Sequence, residues 1–217
     1  MSDLPAHAAE ERPATAPSAD EAPARKRPKP GERRVQILQT LASMLEQPGA
    51  ERITTAALAA RLDVSEAALY RHFASKAQMF EGLIEFIESS VFTLINQLLE
   101  REPQPAMQAR RIAVVLLQVG EKNPGMVRVM VGDALVFEHE RLNARMNQFF
   151  ERVESQLRQC LRAAAEAAGS PTPTVDAQAL ASALVALVIG RRQRYARSGF
   201  RRVPTEHLEP ALSRLAG

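Results

Sequence analysis

The chain is predicted to be all-α, and three observations carry that prediction. From residue 32 onward, apolar side chains recur at three- and four-residue spacing, the period of one helix face. No segment alternates apolar and polar residues between hairpin turns, as a half-buried strand would. Pro and Gly fall between the periodic runs, at Pro48-Gly49, Pro103 and Pro105, Asn123-Pro124-Gly125 and the GSPTPT stretch 169–174. With 217 residues the chain has room for a small head and a larger bundle. The expected organisation is a tail over 1–31, a helix-turn-helix domain over 32–80, and a helical dimerisation and partner-binding domain over 81–217.

The tail is rich in Ala, Pro and acidic residues and lacks an apolar core. It is expected to be disordered, and it reads as neither a signal peptide nor a membrane span. It ends on RKRPKPGERR, residues 25–34, with six basic side chains against one acidic. Such a run is either a solvated tail or an arm that follows a phosphate backbone. A first helix is expected over about Glu32–Glu46, with Ile37, Leu41, Met44 and Leu45 facing inward.

Residues Thr54–Lys76, TTAALAARLDVSEAALYRHFASK, read as two short helices joined by a tight turn. Leu58, Ala59 and Leu62 give the first helix its apolar face. Asp63 stands at the turn, where a left-handed backbone is needed and Asp tolerates it better than most residues. Val64 plugs the angle, and Ser65 is a good N-cap for a helix over Glu66–Phe73. Leu69 and Phe73 share that helix's inner face, while Ala67, Tyr70 and Arg71 project outward. A small residue, a phenol and a guanidinium suit close approach to a groove and its phosphates. His72 lies on the same helix within reach of a phosphate. Ser75 and Gln78 form a capping box for the next helix, which sets Lys76 at a helix N-terminus beside the motif. The pattern is that of a helix-turn-helix placing its second helix in the DNA major groove.

The next helix runs from Ser75 to about Arg101, long enough to join head to body. A fifth, about Pro105–Glu121, is apolar nearly all round in IAVVLLQVG and belongs in the middle of a bundle. Asn123-Pro124-Gly125 reads as a turn before a short helix, MVRVMVG. A long helix follows from Asp133 or Ala134 to Ala168, breaking near Glu138–Glu140, with Leu135, Phe137, Leu142, Met146, Phe149, Phe150, Val153 and Leu157 as its apolar stripe. The last predicted helix, about Val175–Ser198, carries an Ala-, Ser- and Gly-rich face. That face fits close packing either on a symmetry mate or inside one chain. A two-fold pair of helix-turn-helices would read a palindrome, which favours a homodimer. The end of that last helix holds six arginines between Arg191 and Arg202, a cluster that is commonly solvated but could bind an acidic partner or contact neighbouring DNA.

Other chemistry is sparse. The single cysteine, Cys160, permits no internal disulfide and reads as a small buried hydrophobe. His7, His72, His139 and His207 show no metal-ligand spacing, and no catalytic motif is present, so no enzyme, metal or cofactor is expected. The longest apolar run, Ala177–Gly190, is too short for a bilayer. A cytoplasmic protein is expected, and DNA binding would make it nucleoid-associated.

The LYRHF-x-SK segment, after a TT-x-x-LA-x-x-x-x-VS helix, resembles the TetR family of bacterial DNA-binding dimers. The likeness narrows to that family's nucleoid occlusion regulators through LIEFIE (83–88), GEKNPG (120–125), ALVFE (134–138) and RMNQFFERVESQLRQ (145–159). It implies a non-enzymatic dimer on palindromic double-stranded DNA that blocks ring assembly by the tubulin-like division protein FtsZ. It also implies DNA contacts from Ala67 and Tyr70 in the groove and from Thr54, His72 and Lys76 on phosphates, with Thr55, Ser65 and Arg71 completing the set. The FtsZ tail would dock near Phe86, Lys122 and Asn123. This chain has Lys122 where an Arg is usual, Leu94 in place of a basic residue and Gln118 in place of Gly. The alternative is a ligand-responsive repressor of the same fold, whose body would hold an effector pocket.

Overall fold

The computed structural model describes residues 31–47 and 52–215, and every described element is helical. In chain order the helices are α1 (Glu32–Leu45), α2 (Thr55–Leu62), α3 (Glu66–Tyr70), α4 (Lys76–Arg101) and α5 (Pro105–Lys122). They are followed by α6 (Pro124–Met130), a 3-10 turn (Asp133–Leu135), α7 (Glu140–Ala167), α8 (Pro173–Arg197) and α9 (Leu208–Leu215). The expected tail and the Pro48-Gly49 break lie outside the described residues.

Helices α1 to α3 and the start of α4 form the head. Ile37, Leu41 and Leu45 of α1 meet Leu58, Ala59 and Leu62 of α2, Leu69 of α3, Phe73, and Met79 and Phe80 of α4. The same apolar cluster runs without a break into the body, because α4 is shared. The central helix, α5, buries Ala109, Ile112, Ala113, Leu116 and Leu117, as its all-round apolar pattern requires. Phe149 of α7 meets Phe92 and Phe150 edge-on, with ring centroids 5.8 and 5.1 Å away. Each such pair adds about 0.5–1.5 kcal/mol beyond area burial. Arg145–Glu88 (2.9 Å) and Arg141–Glu81 (2.6 Å) tie the head end of α7 to α4. Being partly exposed, each contributes at most about 1 kcal/mol.

Several elements differ from the sequence expectations. Helix α3 ends at Tyr70, and Arg71 to Phe73 complete it as a turn whose His72 and Phe73 N–H groups both donate to the Leu69 carbonyl. Asn123-Pro124-Gly125 starts α6 instead of forming a loop: Pro124 takes the first helical position, where its missing N–H is not needed. A Cβ on Gly125 would lie 1.9 Å from the Ala42 carbonyl oxygen, so only glycine lets α6 lie this close to α1. The 3-10 turn follows Gly132 (φ 84°) and shifts the helical phase, leaving Phe137 69% exposed and not on the apolar stripe of α7. Helix α9 has no counterpart among the predicted elements. It packs Leu208 and Leu212 inward, and Arg110 of α5 donates to Glu209 and to Ser213 Oγ (2.9 Å).

Helices α4 and α8 are each long and apolar enough to cross a membrane by length and composition alone. In the fold both pack in the bundle, α4 between head and body and α8 along α7. The outer face of α8 presents Ala179, Ser182, Ala183, Ala186 and Gly190 to solvent.

Candidate nucleic-acid interface

The turn between α2 and α3 is built from local capping. Thr54 Oγ1 accepts from the Ala57 N–H (3.1 Å) and Ser65 Oγ from the Ala68 N–H (3.2 Å), so each helix start has one orphan donor satisfied. Asp63 adopts φ 55°, ψ 51°, the left-handed conformation the angle demands. Thr55 and Glu66 join the two helices, with Oγ1 donating to Oε2 at 2.6 Å. The Tyr70 hydroxyl reaches the same Thr55 Oγ1 at 3.5 Å, which steadies the phenol over the start of α2.

Leu69 and Phe73 are buried, which leaves Ala67, Tyr70, Arg71 and His72 exposed. Thr54, Ser65 and these four side chains therefore share the outer edge of the head. Arg34 fastens the rear: its guanidinium donates to the His72 carbonyl (2.7 Å) and lies 4.1 Å above the Phe73 ring. In the sequence Arg34 is only one member of a basic run. The contact spans 38 residues, and no local signal announces it.

Ser75 Oγ accepts from the Gln78 N–H (3.2 Å), as a capping box requires. The return bond comes from Ala74, one residue earlier than the motif predicts, whose N–H donates to Gln78 Oε1 (2.9 Å). Lys76 does sit at the start of α4, but its ammonium is paired with Glu138 from the turn before α7. The Lys76 side chain is 27% exposed and that of Glu138 only 10%. A phosphate reaching Lys76 would share the ammonium with a carboxylate of the body.

On the body, Phe86 (42%) and Leu94 (40%) are exposed along the outer side of α4. Lys122 and Gln118 are exposed on α5, and Lys122 ends that helix. Because α4 and α5 form an antiparallel hairpin, Phe86 and Lys122 both lie toward the head. Asn123 is half-buried, and its Nδ2 donates to the Val119 carbonyl (2.8 Å), closing the end of α5. Cys160 is buried, and burial pushes its thiol pKa up, the opposite of what a nucleophile needs.

Residues 37–83 match the family described as bacterial regulatory proteins, tetR family, and residues 104–216 match a tetracyclin repressor-like, C-terminal domain of SlmA-like type. The chain is a DNA-binding regulator of the TetR class and not an enzyme. It is 52% identical to nucleoid occlusion factor SlmA of Photobacterium profundum over 178 residues, 82% of this chain and 90% of that protein. The Vibrio vulnificus protein of the same name is 51% identical over 182 residues, 83% of this chain and 92% of its own. Within the TetR class, the chain belongs to the SlmA family of nucleoid occlusion factors. Among solved structures, the fatty acid degradation regulator FadR from Bacillus halodurans superposes with a TM-score of 0.71 over 88% of this chain and 97% of its own, at 13% identity. AibR, solved with isovaleryl coenzyme A and operator DNA, gives 0.65 over 85% and 98%, at 16% identity. At these identities the likeness is one of fold.

Proposed function

We propose that this chain acts in the cytoplasm as a homodimer on palindromic chromosomal sites, and that its DNA-bound form blocks assembly of FtsZ so that no septum closes over the nucleoid. The observation that carries this reading is that the identity to nucleoid occlusion factors extends through the body as well as the head. A head alone would fit any TetR-type repressor. In this reading Ala67 and Tyr70 enter the major groove, and Arg71 supports them at its edge. Thr54, Thr55, Ser65, His72 and Lys76 contact phosphates, which set register without reading sequence. The exposed small-residue face of α8 supports the homodimer, since close helix approach needs side chains of that size. Phe86, Lys122 and Asn123 mark the FtsZ docking surface, with Phe86 as an apolar anchor and Lys122 as its charge. Asn123 then acts by holding the end of α5 in place. Leu94, where the resemblance implies a basic residue, makes this surface less basic, and Gln118 in place of Gly adds a side chain that narrows it, so apolar contact carries more of the affinity here.

The test is sedimentation of FtsZ polymers with the protein, in the presence and absence of its DNA. Phe86→Ala is expected to raise the concentration needed for half-inhibition at least tenfold, the loss of an aromatic anchor of roughly 2 kcal/mol. DNA affinity should not change. Full antagonism by Phe86→Ala would remove α4 from the docking surface.

A further inference from the structure

The arginine-rich segment from Arg191 to Arg202 covers the end of α8 and the turn beyond it, and takes no part in the proposed α3 or FtsZ contacts. Arg192 is buried, and Arg191 donates to the Pro204 (3.0 Å) and Glu206 (2.6 Å) carbonyls. The other four, Arg194, Arg197, Arg201 and Arg202, are exposed, and none has a carboxylate partner among the described residues. Arg110, Arg111, Arg141 and Arg145 of the same body are all paired with acids. Arg194 and Arg202 also line a cleft of about 110 Å³ with Arg191, Glu206 and His207. Glu206 is the one acid there, and it faces His207 at 3.6 Å.

The position of this cluster in the fold says what it meets. Helix α7 starts beside the head, where Arg141 and Glu138 hold α4, so α7 runs away from the head and α8 returns to it. At that returning end Tyr195 and Ala196 pack on Val127 of α6, and the Tyr195 hydroxyl donates to the Glu121 carbonyl (3.2 Å). Helix α6 in turn rests on α1 through Gly125 and Ala42. The arginines therefore sit at the head-proximal end of the body. They also continue the exposed stripe Ala179, Ser182, Ala183, Ala186 and Gly190 into Arg194 and Arg197. If that stripe packs on a symmetry mate, two such clusters lie close together between the two heads. Their uncompensated guanidinium groups would repel one another there unless a polyanion lies beside them. The polyanion at that end of a DNA-bound dimer is the duplex.

We propose that Arg194, Arg197, Arg201 and Arg202 form a second DNA contact, binding backbone phosphates between the half-sites without reading sequence. The proposal rests on the DNA-binding reading of α3, so its test separates the two. Full-length protein is titrated by fluorescence anisotropy onto a duplex that it selects from a random pool, over a range of salt concentrations. The variants are Arg197→Gln/Arg201→Gln/Arg202→Gln, the matching triple Lys variant, and Tyr70→Ala. Each phosphate that is no longer neutralised lowers the slope of log K against log salt by about 0.9. The triple Gln variant is expected to leave at least two phosphates per dimer without a cation. That is a slope change of about 2, with at least tenfold weaker binding near physiological salt. Its sequence preference should not change, and the Lys variant should restore the slope, since a point charge suffices for a phosphate. An unchanged slope and affinity in a triple Gln variant that melts like the parent would overturn the proposal. So would intact DNA binding without FtsZ antagonism, which would assign the arginines to an acidic protein. If Tyr70→Ala abolishes binding while the triple Gln variant does not weaken it, the proposal alone fails. Failure of the parent protein to select any duplex would remove the α3 reading as well.

Discussion

Gly125→Ala is expected to lower stability by about 3 kcal/mol, although it adds a strong helix former inside a helix. At an ordinary helical site the exchange would gain up to about 1 kcal/mol. Here the new Cβ would lie 1.9 Å from the Ala42 oxygen and 2.8 Å from its carbonyl carbon. Both are backbone atoms of α1, which cannot rotate aside as a side-chain tip could. Either α6 or α1 must move, and forced shifts in a packed interior cost about 1–3 kcal/mol or more. For a chain of this size that is a fall in melting temperature of about 10 °C. The movement also tilts the head against the body, so DNA affinity should fall by more than the unfolded fraction explains. Thermal denaturation and DNA titration of the same preparation check both effects. A variant as stable as the parent would mean that α1 and α6 are not in this contact.

Arg192→Met is expected to raise stability, the reverse of most core substitutions. Arg192 is fully buried and donates through one Nη to the Leu116 carbonyl, but its Nε and other Nη have no partner. Its nearest compensation is the Phe150 ring, 5.9 Å from the guanidinium carbon. Burial pulls its pKa well below the ordinary guanidinium range, to about 10, so at neutral pH the group is a charged cation in an apolar interior. The folded chain holds this proton less tightly than the unfolded chain does. The cost is therefore full below about pH 10 and is relieved as pH rises from there toward the ordinary guanidinium range. A shift of that size corresponds to about 3 kcal/mol. Methionine fills much of the same volume without charge, and replacing buried ions by apolar groups can stabilise by about 1–4 kcal/mol. The melting temperature near pH 7 should rise by about 6 °C. A fall would contradict this account and show that the Leu116 bond and the Phe150 contact outweigh the cost of burial.

The head was legible in the sequence because its chemistry is local. Ser65 and Ser75 each cap a helix three residues ahead, and Asp63 adopts the left-handed turn its position called for. The outward set Ala67, Tyr70 and Arg71 follows from burial of Leu69 and Phe73 on the other side. What was not legible depends on distant partners or on a break in helical phase. The Lys76–Glu138 pair joins residues 62 apart, and the Arg34–His72 bond joins residues 38 apart. Phe137 fits a helical stripe on paper, but the 3-10 turn after Gly132 rotates it into solvent. Arg192 sits among five other arginines and reads as a solvated tip, yet Tyr195 and Ala196 share its buried face. Nothing in its own segment distinguishes it from Arg194.

The likeness to TetR-class folds leaves room for two modes of action, a local repressor or a regulator spread over the chromosome. Genome-wide occupancy of the protein on its own chromosome separates them most directly. Nucleoid occlusion predicts dozens of palindromic sites, mostly away from promoters and sparse near the replication terminus. One or two sites, each over a promoter, would contradict it.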